Sequence, residues 1–312
     1  MNIATRTRTI FIDGEAGTTG LLIRERVRSL SGVNVRSIAP EQRKDPAARR
    51  ALMAEAEIVV LCLPDAAARE ATAMIDAMGA SSPRIIDAST AHRVAPDWTY
   101  GFAEMLPGQA DAIAKARRVS NPGCYPTASI ALLRPLVDAG LVPDDHPITI
   151  NAVSGYSGGG RTMIESFEGG MAPNFELYGL GLEHKHLPET HLYTGLKRRP
   201  IFVPSIGNYR QGMLVSIPLH LDALPGKPKA KDLEAVLSTR YHGMKYVRVL
   251  HDGAERLEPE ALNETNTMEL RVFANEKYRQ AVLVARLDNL GKGASGAAVQ
   301  NLSLMLGLES GV

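Results

Sequence analysis

One cysteine of the sequence stands in a setting that suits a nucleophile. Cys124 lies within Asn121–Thr127 (NPGCYPT), where Asn-Pro-Gly is a turn signal and Pro126 suits the first position of a helix. Cys124 is therefore expected just before a helix N-terminus, whose partial positive charge favours a thiolate over a thiol. A thiolate is the nucleophile needed to attack an acyl phosphate. Cys62, inside the apolar run Val59–Leu63, is expected to be a buried small hydrophobe instead.

A nucleophilic cysteine needs a proton carrier, and the densest titratable cluster of the sequence is His184–Glu189 (HKHLPE). Imidazole takes up and releases protons near neutral pH. Glu189, three residues after His186, is expected to orient that histidine or to bind a substrate amine or amide. His-x-His also suggests a metal site, but no cysteine or third histidine with ligand spacing lies nearby. We therefore expect acid–base chemistry here and no metal.

Two glycine-containing segments each carry an arginine that suits an anionic substrate. Ser154–Arg161 (SGYSGGGR) combines flexible backbone with a guanidinium, and Asn208–Met213 (NYRQGM) offers a second one directly before a predicted strand. Backbone N–H groups and the arginine fork bind carboxylate or phosphate well. The residues expected to bind the substrate are Ser154, Gly155, Arg161 and Arg210.

Near its start the sequence carries a glycine-rich turn between a strand and a helix. Asp13–Gly20 (DGEAGTTG) has the spacing G-x-x-G-x-x-G, one residue longer than G-x-G-x-x-G. Such glycines give a tight turn and bare backbone where a pyrophosphate meets a helix N-terminus. Their position at the first strand–helix junction predicts a dinucleotide site. The residues expected to contact the dinucleotide are Gly14, Gly17, Thr18, Thr19 and Gly20.

The residues after the second predicted strand indicate which dinucleotide is bound. An NAD enzyme usually places Asp or Glu there to bind the ribose 2′-hydroxyl. Here the sequence continues with Ser37, followed closely by Arg43 and Lys44. Hydroxyl and cationic side chains favour a 2′-phosphate, so we predict NADP, with Ser37 and Arg43 as contacts.

The elements that must hold these residues alternate between strand and helix over the first 120 residues. Continuous apolar runs such as Glu57–Pro64 (EIVVLCLP) are typical of buried parallel strands. The alternation predicts an α/β fold with a doubly wound parallel sheet. The further predicted strands are Thr9–Asp13, Val33–Ile38 and Arg84–Ser89, and Ala47–Ala56 is a predicted helix.

After a predicted helix over residues 126–139 the pattern changes. Alternating strands at Met213–Leu221 and Met268–Phe273, with few helices between them, predict a second, α+β domain with a mixed sheet. Residues 155–161 are predicted as a loop, followed by an irregular segment to about Pro200. We expect a dinucleotide-binding domain over 1–122, completed by a C-terminal helix within 290–312, and a catalytic domain over 123–289.

Composition excludes several classes of protein. With 35 Lys and Arg against 34 Asp and Glu, the net charge is +1, without the basic excess of a nucleic-acid binder. No run of 18 apolar residues predicts a membrane span, and the first residues lack the apolar region of a secretion signal. Two cysteines cannot form a disulfide framework, so we expect a cytoplasmic protein with a small-molecule partner.

Taken together, these motifs resemble the N-acetyl-gamma-glutamyl-phosphate reductase family of arginine biosynthesis, in its shorter form. The resemblance extends from the Gly14 loop to the C-terminal helix. Besides the Cys124 and His186 motifs and Ser154–Arg161, it includes Asp87–Arg93 (DASTAHR), Tyr100–Glu104 (YGFAE) and Asp288–Asn301 (DNLGKGASGAAVQN).

The resemblance implies a Rossmann-type domain, a glyceraldehyde-phosphate-dehydrogenase-like domain and a homo-oligomer. It also implies NADPH-dependent reduction of N-acetyl-glutamyl 5-phosphate to the 5-semialdehyde through a thioester on Cys124. His186 would then carry protons with support from Glu189. The cofactor contacts implied only by the resemblance are Ser89, Asn289 and Gly291.

Two departures and two alternatives accompany this interpretation. Glu15 puts an acid beside the proposed pyrophosphate, which is unfavourable unless its side chain points away, and Gln211 interrupts an Arg-Gly pair after Arg210. The setting of Cys124 argues against an aspartate-semialdehyde dehydrogenase, whereas an acetyl-aminoadipyl-phosphate reductase of lysine synthesis stays open. A non-catalytic NADP-binding sensor would need only the glycine loop.

Overall fold

The computed structural model of the chain describes residues 7–308. These residues divide into two compact units, one formed by residues 7–122 and 294–308, the other by Gly123–Gly293. The chain therefore leaves the first unit after Pro122 and returns to it at Ala294. No helix within residues 7–308 is long and apolar enough to cross a membrane.

The first unit is built on a parallel sheet. Its strands are β1 (Arg8–Asp13), β2 (Val33–Arg36), β3 (Ile58–Leu61), β4 (Arg84–Asp87), β5 (Thr99–Tyr100) and β6 (Arg118–Ser120), in the order β2-β1-β3-β4-β6-β5. Its first helices are α1 (Thr18–Val27), α2 (Pro46–Glu55), α3 (Asp65–Asp76) and α4 (Gln109–Lys115). Neighbouring strands pair in parallel register throughout.

Helices cover both faces of this sheet. Ile10 and Ile12 of β1 point to one face, where they join a buried cluster with Ile23 of α1. Phe11 points to the other face and packs in a separate cluster with Met53 of α2. Because successive strand residues face opposite sides, an all-apolar strand requires helices on both sides. The predicted doubly wound sheet is confirmed.

The second unit is built on a mixed sheet, as predicted. Its strands are β7 (Thr149–Gly155), β8 (Phe175–Leu177), β9 (Ile201–Gly207), β10 (Met213–His220), β11 (Val247–Val249), β12 (Met268–Asn275) and β13 (Gln280–Leu287), in the order β11-β12-β13-β10-β7-β9-β8. Its helices are α5 (Cys124–Asp138), α6 (Arg161–Glu168), α7 (Leu187–Thr194) and α8 (Ala230–Tyr241), and α9 (Gly296–Leu306) belongs to the first unit.

The two faces of the mixed sheet have different surroundings. Along β10, Met213, Val215 and Ile217 are buried on the side packed by α5. Helix α8 contacts β12, which lies beyond β13 in the sheet. The opposite side carries Leu214 and its cross-strand neighbour Val153, which line an open apolar groove. This alternation is typical of a sheet with one face in the core.

Two local predictions were wrong. The helix predicted from residue 126 begins at Cys124, with Gly123 as N-cap, so Pro126 occupies the third helical position. Proline is tolerated there because the first N–H groups of a helix have no intrahelical partner. The segment predicted as irregular contains α6, β8 and α7, which are too short to show a clear periodicity.

Arg84 at the start of β4 joins three carbonyl groups from two helices. Its guanidinium donates to Ala116 O at 2.9 Å and Ala114 O at 2.6 Å, at the end of α4. It also donates to Met305 O of α9. The last carbonyls of a helix lack intrahelical donors and favour a cation. Arg84 thereby ties the C-terminal helix to the sheet of the first unit.

We predict that Arg84→Met lowers the free energy of unfolding by about 2–4 kcal/mol, because three charge-assisted hydrogen bonds are lost. Urea denaturation followed by circular dichroism measures the change. Arg50→Met, at an exposed position of α2, is the control and should stay within about 0.5 kcal/mol of the unsubstituted protein. An equally small effect at Arg84 would contradict the assignment.

Candidate active site

Cys124 occupies the first turn of α5, which begins without a side-chain cap. Gly123, the N-cap residue, has extended backbone angles (φ −76°, ψ 154°) and has no side chain with which to cap the helix. Thr127 closes the turn, since its N–H and hydroxyl both donate to Gly123 O, at 3.0 and 2.8 Å. Cys124 is a partly exposed free thiol. The helix N-terminus thus favours negative charge on its sulfur.

Glu189 holds the turn before Cys124 from the neighbouring helix. Its buried carboxylate, 1% exposed, accepts a hydrogen bond from Gly123 N at 3.1 Å. Glu189 lies in the first turn of α7, which packs against α5. Sequence reasoning placed Glu189 beside His186 or the substrate. The structure shows it bonded to the backbone of the turn before Cys124.

A chain of hydrogen bonds lies near Cys124 and includes His184 and two tyrosines. His184 Nδ1 accepts from His186 N at 3.1 Å, so its Nε2 carries the proton and faces Tyr178 Oη at 3.4 Å. Tyr178 donates to Tyr125 Oη at 3.3 Å, and Tyr125 donates to Ser205 O at 3.4 Å. Each hydrogen bond in this chain therefore has one defined donor and one defined acceptor.

Burial shapes the acid–base properties of this chain. It lowers the pKa of His184 to about 4, with a smaller contribution from Lys185, so the imidazole is neutral at physiological pH. Burial also raises the pKa of Tyr178 to about 12, and that of Tyr125 well above its ordinary value. Cys124 contributes to both tyrosine shifts, which places it close to the two phenols. The ring of His186 lies edge-on to Tyr125, with centroids 5.9 Å apart.

A tightly held segment packs behind Cys124. Gly293 approaches so closely that a Cβ added to it would lie 2.7 Å from Cys124 Cβ. Only glycine therefore fits at this position without displacing Cys124. The segment is held by fully buried Asp288, whose carboxylate accepts from Leu290 N at 2.9 Å, Glu264 N at 2.7 Å and Gln211 Nε2 at 3.1 Å.

The predicted substrate residues Ser154 and Gly155 lie at the end of β7, bonded to the loop that contains Arg210. Gly155 N donates to Gly212 O at 2.9 Å. Asn289 joins the same place, since its Oδ1 accepts from Gly212 N at 2.8 Å and its Nδ2 donates to the Ser157 hydroxyl at 3.0 Å. The structure thus shows Asn289 and its neighbour Gly291 within the second unit.

The two predicted substrate arginines are both paired with acids of α6. Arg161 has an 87% exposed side chain and bonds Glu165 at 2.8 Å, one turn along the helix. Arg210 is 57% exposed and bonds Glu168 at 2.7 Å. Exposed pairs of this kind are weak. A substrate carboxylate or phosphate can therefore replace either acid at little cost.

In the first unit, the predicted cofactor residues lie at the carboxyl edge of the parallel sheet. Gly14 has φ +91°, and a Cβ there would meet Cys62 O at 2.3 Å, so the turn after β1 requires glycine. Gly17 is the N-cap of α1 and provides no side-chain cap. Space is open beside Gly17, where an added Cβ meets only Gly14 O at 3.5 Å. An uncapped helix N-terminus with room beside it fits a pyrophosphate.

The other predicted cofactor residues follow β2 and β4. Ser37 is exposed and donates to Glu15 Oε2 at 3.0 Å, and Arg43 is exposed after a short 3₁₀ turn. Ser89 is buried, and its backbone N and hydroxyl donate to the Asp87 carboxylate at 2.9 and 2.8 Å. Carboxyl ends of parallel strands share one edge of a sheet, which is where ligands bind in such folds.

Comparison with known proteins adds to this geometry. A family profile described as "Semialdehyde dehydrogenase, dimerisation domain" matches residues 124–289. An N-acetyl-gamma-glutamyl-phosphate reductase of Chelativorans sp. is 53% identical, covering 96% of this chain and 98% of its own. One of Burkholderia lata is 52% identical, covering 96% of each chain. The chain belongs to the N-acetyl-gamma-glutamyl-phosphate reductase family. The resemblance read from the sequence motifs is confirmed.

Solved structures with the same fold are more distant in sequence. Aspartate semialdehyde dehydrogenase II of Vibrio cholerae has a TM-score of 0.71 at 15% identity, covering 96% of this chain and 98% of its own. Aspartate semialdehyde dehydrogenase of Candida albicans, solved with NADP, has a TM-score of 0.66 at 14% identity, covering 96% of this chain and 98% of its own. At this identity the likeness shows the fold shared by these proteins and this family.

Sequence reasoning missed two residues that the structure places near Cys124, Tyr178 and Asp288. Tyr178 lies in the segment predicted as irregular, and its partner His184 was noted only as part of a titratable cluster. A lone tyrosine in an unpatterned segment carries no signal of its own. Asp288, by contrast, stands directly before a turn, where an Asp side chain often accepts hydrogen bonds from nearby backbone N–H groups.

The lowered pKa of His184 predicts a pH dependence of stability. The unfolded chain protonates this histidine near pH 6.5, whereas the folded protein does so near pH 4. Between these values the unfolded state binds more protons, so stability falls as the pH decreases from about 6.5 towards about 4. Urea midpoints measured across this range should change less in His184→Gln. His220→Gln, at an exposed position, is the control, and equal slopes in His184→Gln and the unsubstituted protein would contradict the prediction.

Proposed function

We propose that this protein catalyses the NADPH-dependent reduction of N-acetyl-L-glutamyl 5-phosphate to the 5-semialdehyde, with release of phosphate, in arginine biosynthesis. The single observation that carries the proposal is the position of the partly exposed Cys124 in the first turn of α5, where the helix dipole favours a thiolate. Reductases of this name that are about half identical to the chain support the substrate. We also propose a cytoplasmic location, which suits the two free thiols.

The chemistry begins with the Cys124 thiolate, which attacks the acyl carbon. The bond from that carbon to the phosphate oxygen breaks, phosphate leaves, and a thioester forms on the cysteine. NADPH, when bound, supplies the hydride that reduces this thioester. The resulting thiohemiacetal on Cys124 collapses to the aldehyde and returns the thiolate. We assign His186 to carry the protons of these steps, because imidazole exchanges protons near neutral pH.

Other residues of the second unit hold the reacting groups. Glu189 fixes the turn before Cys124 through the Gly123 N–H group, which limits the positions open to the sulfur. Ser154, Gly155, Arg161 and Arg210 are proposed to bind the charged ends of the substrate. The arginines suit this role because their present partners, Glu165 and Glu168, are exposed and readily replaced.

The residues of the first unit fit a nicotinamide dinucleotide. Gly14, Gly17, Thr18, Thr19 and Gly20 would hold the pyrophosphate at the N-terminus of α1. Ser37 and Arg43 are proposed to bind the 2′-phosphate of NADP, and Ser89 to contact the cofactor at the end of β4. We further propose that Asn289 and Gly291 contact the cofactor, although Asn289 already bonds Gly212 N and Ser157.

The reverse reaction tests this function. With N-acetyl-glutamate 5-semialdehyde, phosphate and NADP, we expect phosphate-dependent formation of NADPH, recorded by absorbance. Cys124→Ser should lower kcat by at least about 10³-fold, because a hydroxyl is a far weaker nucleophile than a thiolate. Cys62→Ser is the matched control and should retain activity. Burial and nearby acids raise the pKa of the Cys62 thiol to about 12, which makes it unreactive.

Iodoacetamide labelling separates a catalyst from a non-catalytic binder. The reagent should modify Cys124 but not Cys62, and substrate should protect Cys124. Activity on the acetyl-aminoadipyl semialdehyde alone would overturn the substrate assignment and keep the mechanism. NADP binding without activity on either aldehyde, and without a reactive Cys124, would overturn the proposed function in favour of a sensor.

We propose that the chain forms a homo-oligomer through the open face of the mixed sheet. The groove on that face is lined mainly by apolar side chains, with a few polar ones such as Asn151 and Glu255. Phe175 and Leu177 of β8 are 57% and 50% exposed. Contiguous exposed apolar surface of this kind marks interaction sites. The matching family profile is described as a dimerisation domain, which makes a second copy of the chain the proposed occupant.

Charged substitutions on this face should therefore weaken self-association. We predict that Phe175→Asp combined with Leu214→Asp shifts the protein towards monomers, because burying two carboxylates in an apolar interface is costly. Size-exclusion chromatography with light scattering measures the mass. Met244→Asp, a partly exposed site outside the groove, is the control. An unchanged oligomer in the double variant would place the interface elsewhere.

A further inference from the structure

Glu15 is a buried acid inside the glycine loop whose role the proposed reaction does not explain. Its residue is 4% exposed, and its carboxylate is held by two side chains. Arg24 of α1 donates to Oε2 at 3.1 Å, and the hydroxyl of Ser37 donates to the same oxygen at 3.0 Å. The carboxylate is therefore directed towards the residue that follows β2.

In doubly wound nucleotide-binding sheets, the position after the second strand contacts the adenosine ribose. An acid after the second strand binds the 2′-hydroxyl of the adenosine ribose, and cationic side chains there accommodate a 2′-phosphate. In this chain β2 ends at Arg36 and is followed by Ser37 and Ile38, so the strand itself supplies no acid. Glu15 instead brings a carboxylate to the same place from the glycine loop.

We propose that Glu15 is a specificity-determining residue for the adenosine end of the cofactor. Held by Arg24 and Ser37, its carboxylate reduces the preference of the site for a ribose 2′-phosphate over a 2′-hydroxyl. This inference rests on the proposed binding of a nicotinamide dinucleotide by the first unit, and it concerns selection between NADP and NAD.

Glu15 acts through Ser37 because its own side chain is buried. The Ser37 hydroxyl has one proton, and that proton is directed to Glu15. In this state Ser37 offers lone pairs, which accept a hydrogen bond from a ribose 2′-hydroxyl. To donate to a phosphate, Ser37 must first give up its bond to Glu15.

The negative charge of Glu15 also disfavours a 2′-phosphate. A carboxylate near a 2′-phosphate repels it, and the repulsion is large where water is partly excluded. Arg24, whose side chain is 36% exposed, offsets part of this charge through its ion pair with Glu15. Glu15 and Arg24 should therefore have opposite effects on the selection of NADP over NAD.

Calorimetric titration of the full-length protein with NADP⁺ and with NAD⁺ tests the inference without any turnover. We expect Glu15→Gln to raise the ratio of NADP⁺ to NAD⁺ affinity by about tenfold, since one repelling charge is removed. Arg24→Gln should lower the same ratio, because Glu15 then lacks its counter-charge. Glu25→Gln, on an exposed position of the same helix, is the matched control and should leave the ratio unchanged.

The outcomes distinguish a failure of this inference from a failure of the proposed nucleotide binding. If Glu15→Gln weakens or strengthens both cofactors equally, Glu15 only shapes the loop and the inference is overturned while the proposed function stands. If the unsubstituted protein binds neither cofactor, the nucleotide assignment itself fails, and this inference with it. Should Glu15→Gln not fold, Arg24→Gln still decides, because a ratio that rises or stays constant overturns the inference.

Discussion

The hydrogen bond from Gly123 N to the Glu189 carboxylate is the interaction on which the proposed catalytic arrangement depends. It joins the turn before Cys124 to the first turn of α7, so two helices that are distant in sequence meet beside the proposed nucleophile. Burying a carboxylate costs free energy unless its oxygens accept hydrogen bonds. The Glu189 carboxylate accepts a hydrogen bond from a backbone N–H group. It also lies in the N-terminal turn of α7, where the helix dipole favours negative charge. Removing it would leave a buried N–H group without this acceptor and free the turn that positions the sulfur.

Once α7 is fixed in this way, the positions of both histidines follow. His186 is the N-cap residue of α7, and its backbone N–H group donates to His184 Nδ1. That single bond decides which nitrogen of His184 carries its proton, and the proton then faces Tyr178. Burial keeps His184 neutral, so the chain through Tyr178 and Tyr125 retains its direction at physiological pH. His186, the proposed proton carrier, therefore has a neutral histidine beside it whose tautomer is fixed.

Much of this architecture was predictable because local patterns agreed with the fold. The apolar run at β3 required a sheet covered on both faces, and the turn before Cys124 required a helix start. What could not be predicted depends on contacts between residues far apart in sequence. Tyr178 joins the chain of hydrogen bonds only because β8 pairs with β9, and Glu189 reaches Gly123 only because α5 packs on α7. The direction of the Glu15 side chain was open for the same reason, since its partner Ser37 lies 22 residues further along the chain.

Each unit has a helix that begins after a glycine and a glutamate near that start, but the two glutamates have different partners. Gly17 before α1 and Gly123 before α5 are both extended N-cap glycines without a side-chain cap. At α5 a glutamate binds the N-cap N–H group itself, and Cys124 lies in the first turn of the helix. At α1 the nearby glutamate is instead held by Arg24 and Ser37, which leaves the helix terminus to a larger anion such as a pyrophosphate. The proposed nucleophile in one unit and the proposed cofactor site in the other therefore share the same glycine start, and the carboxylate beside that start has a different partner in each unit.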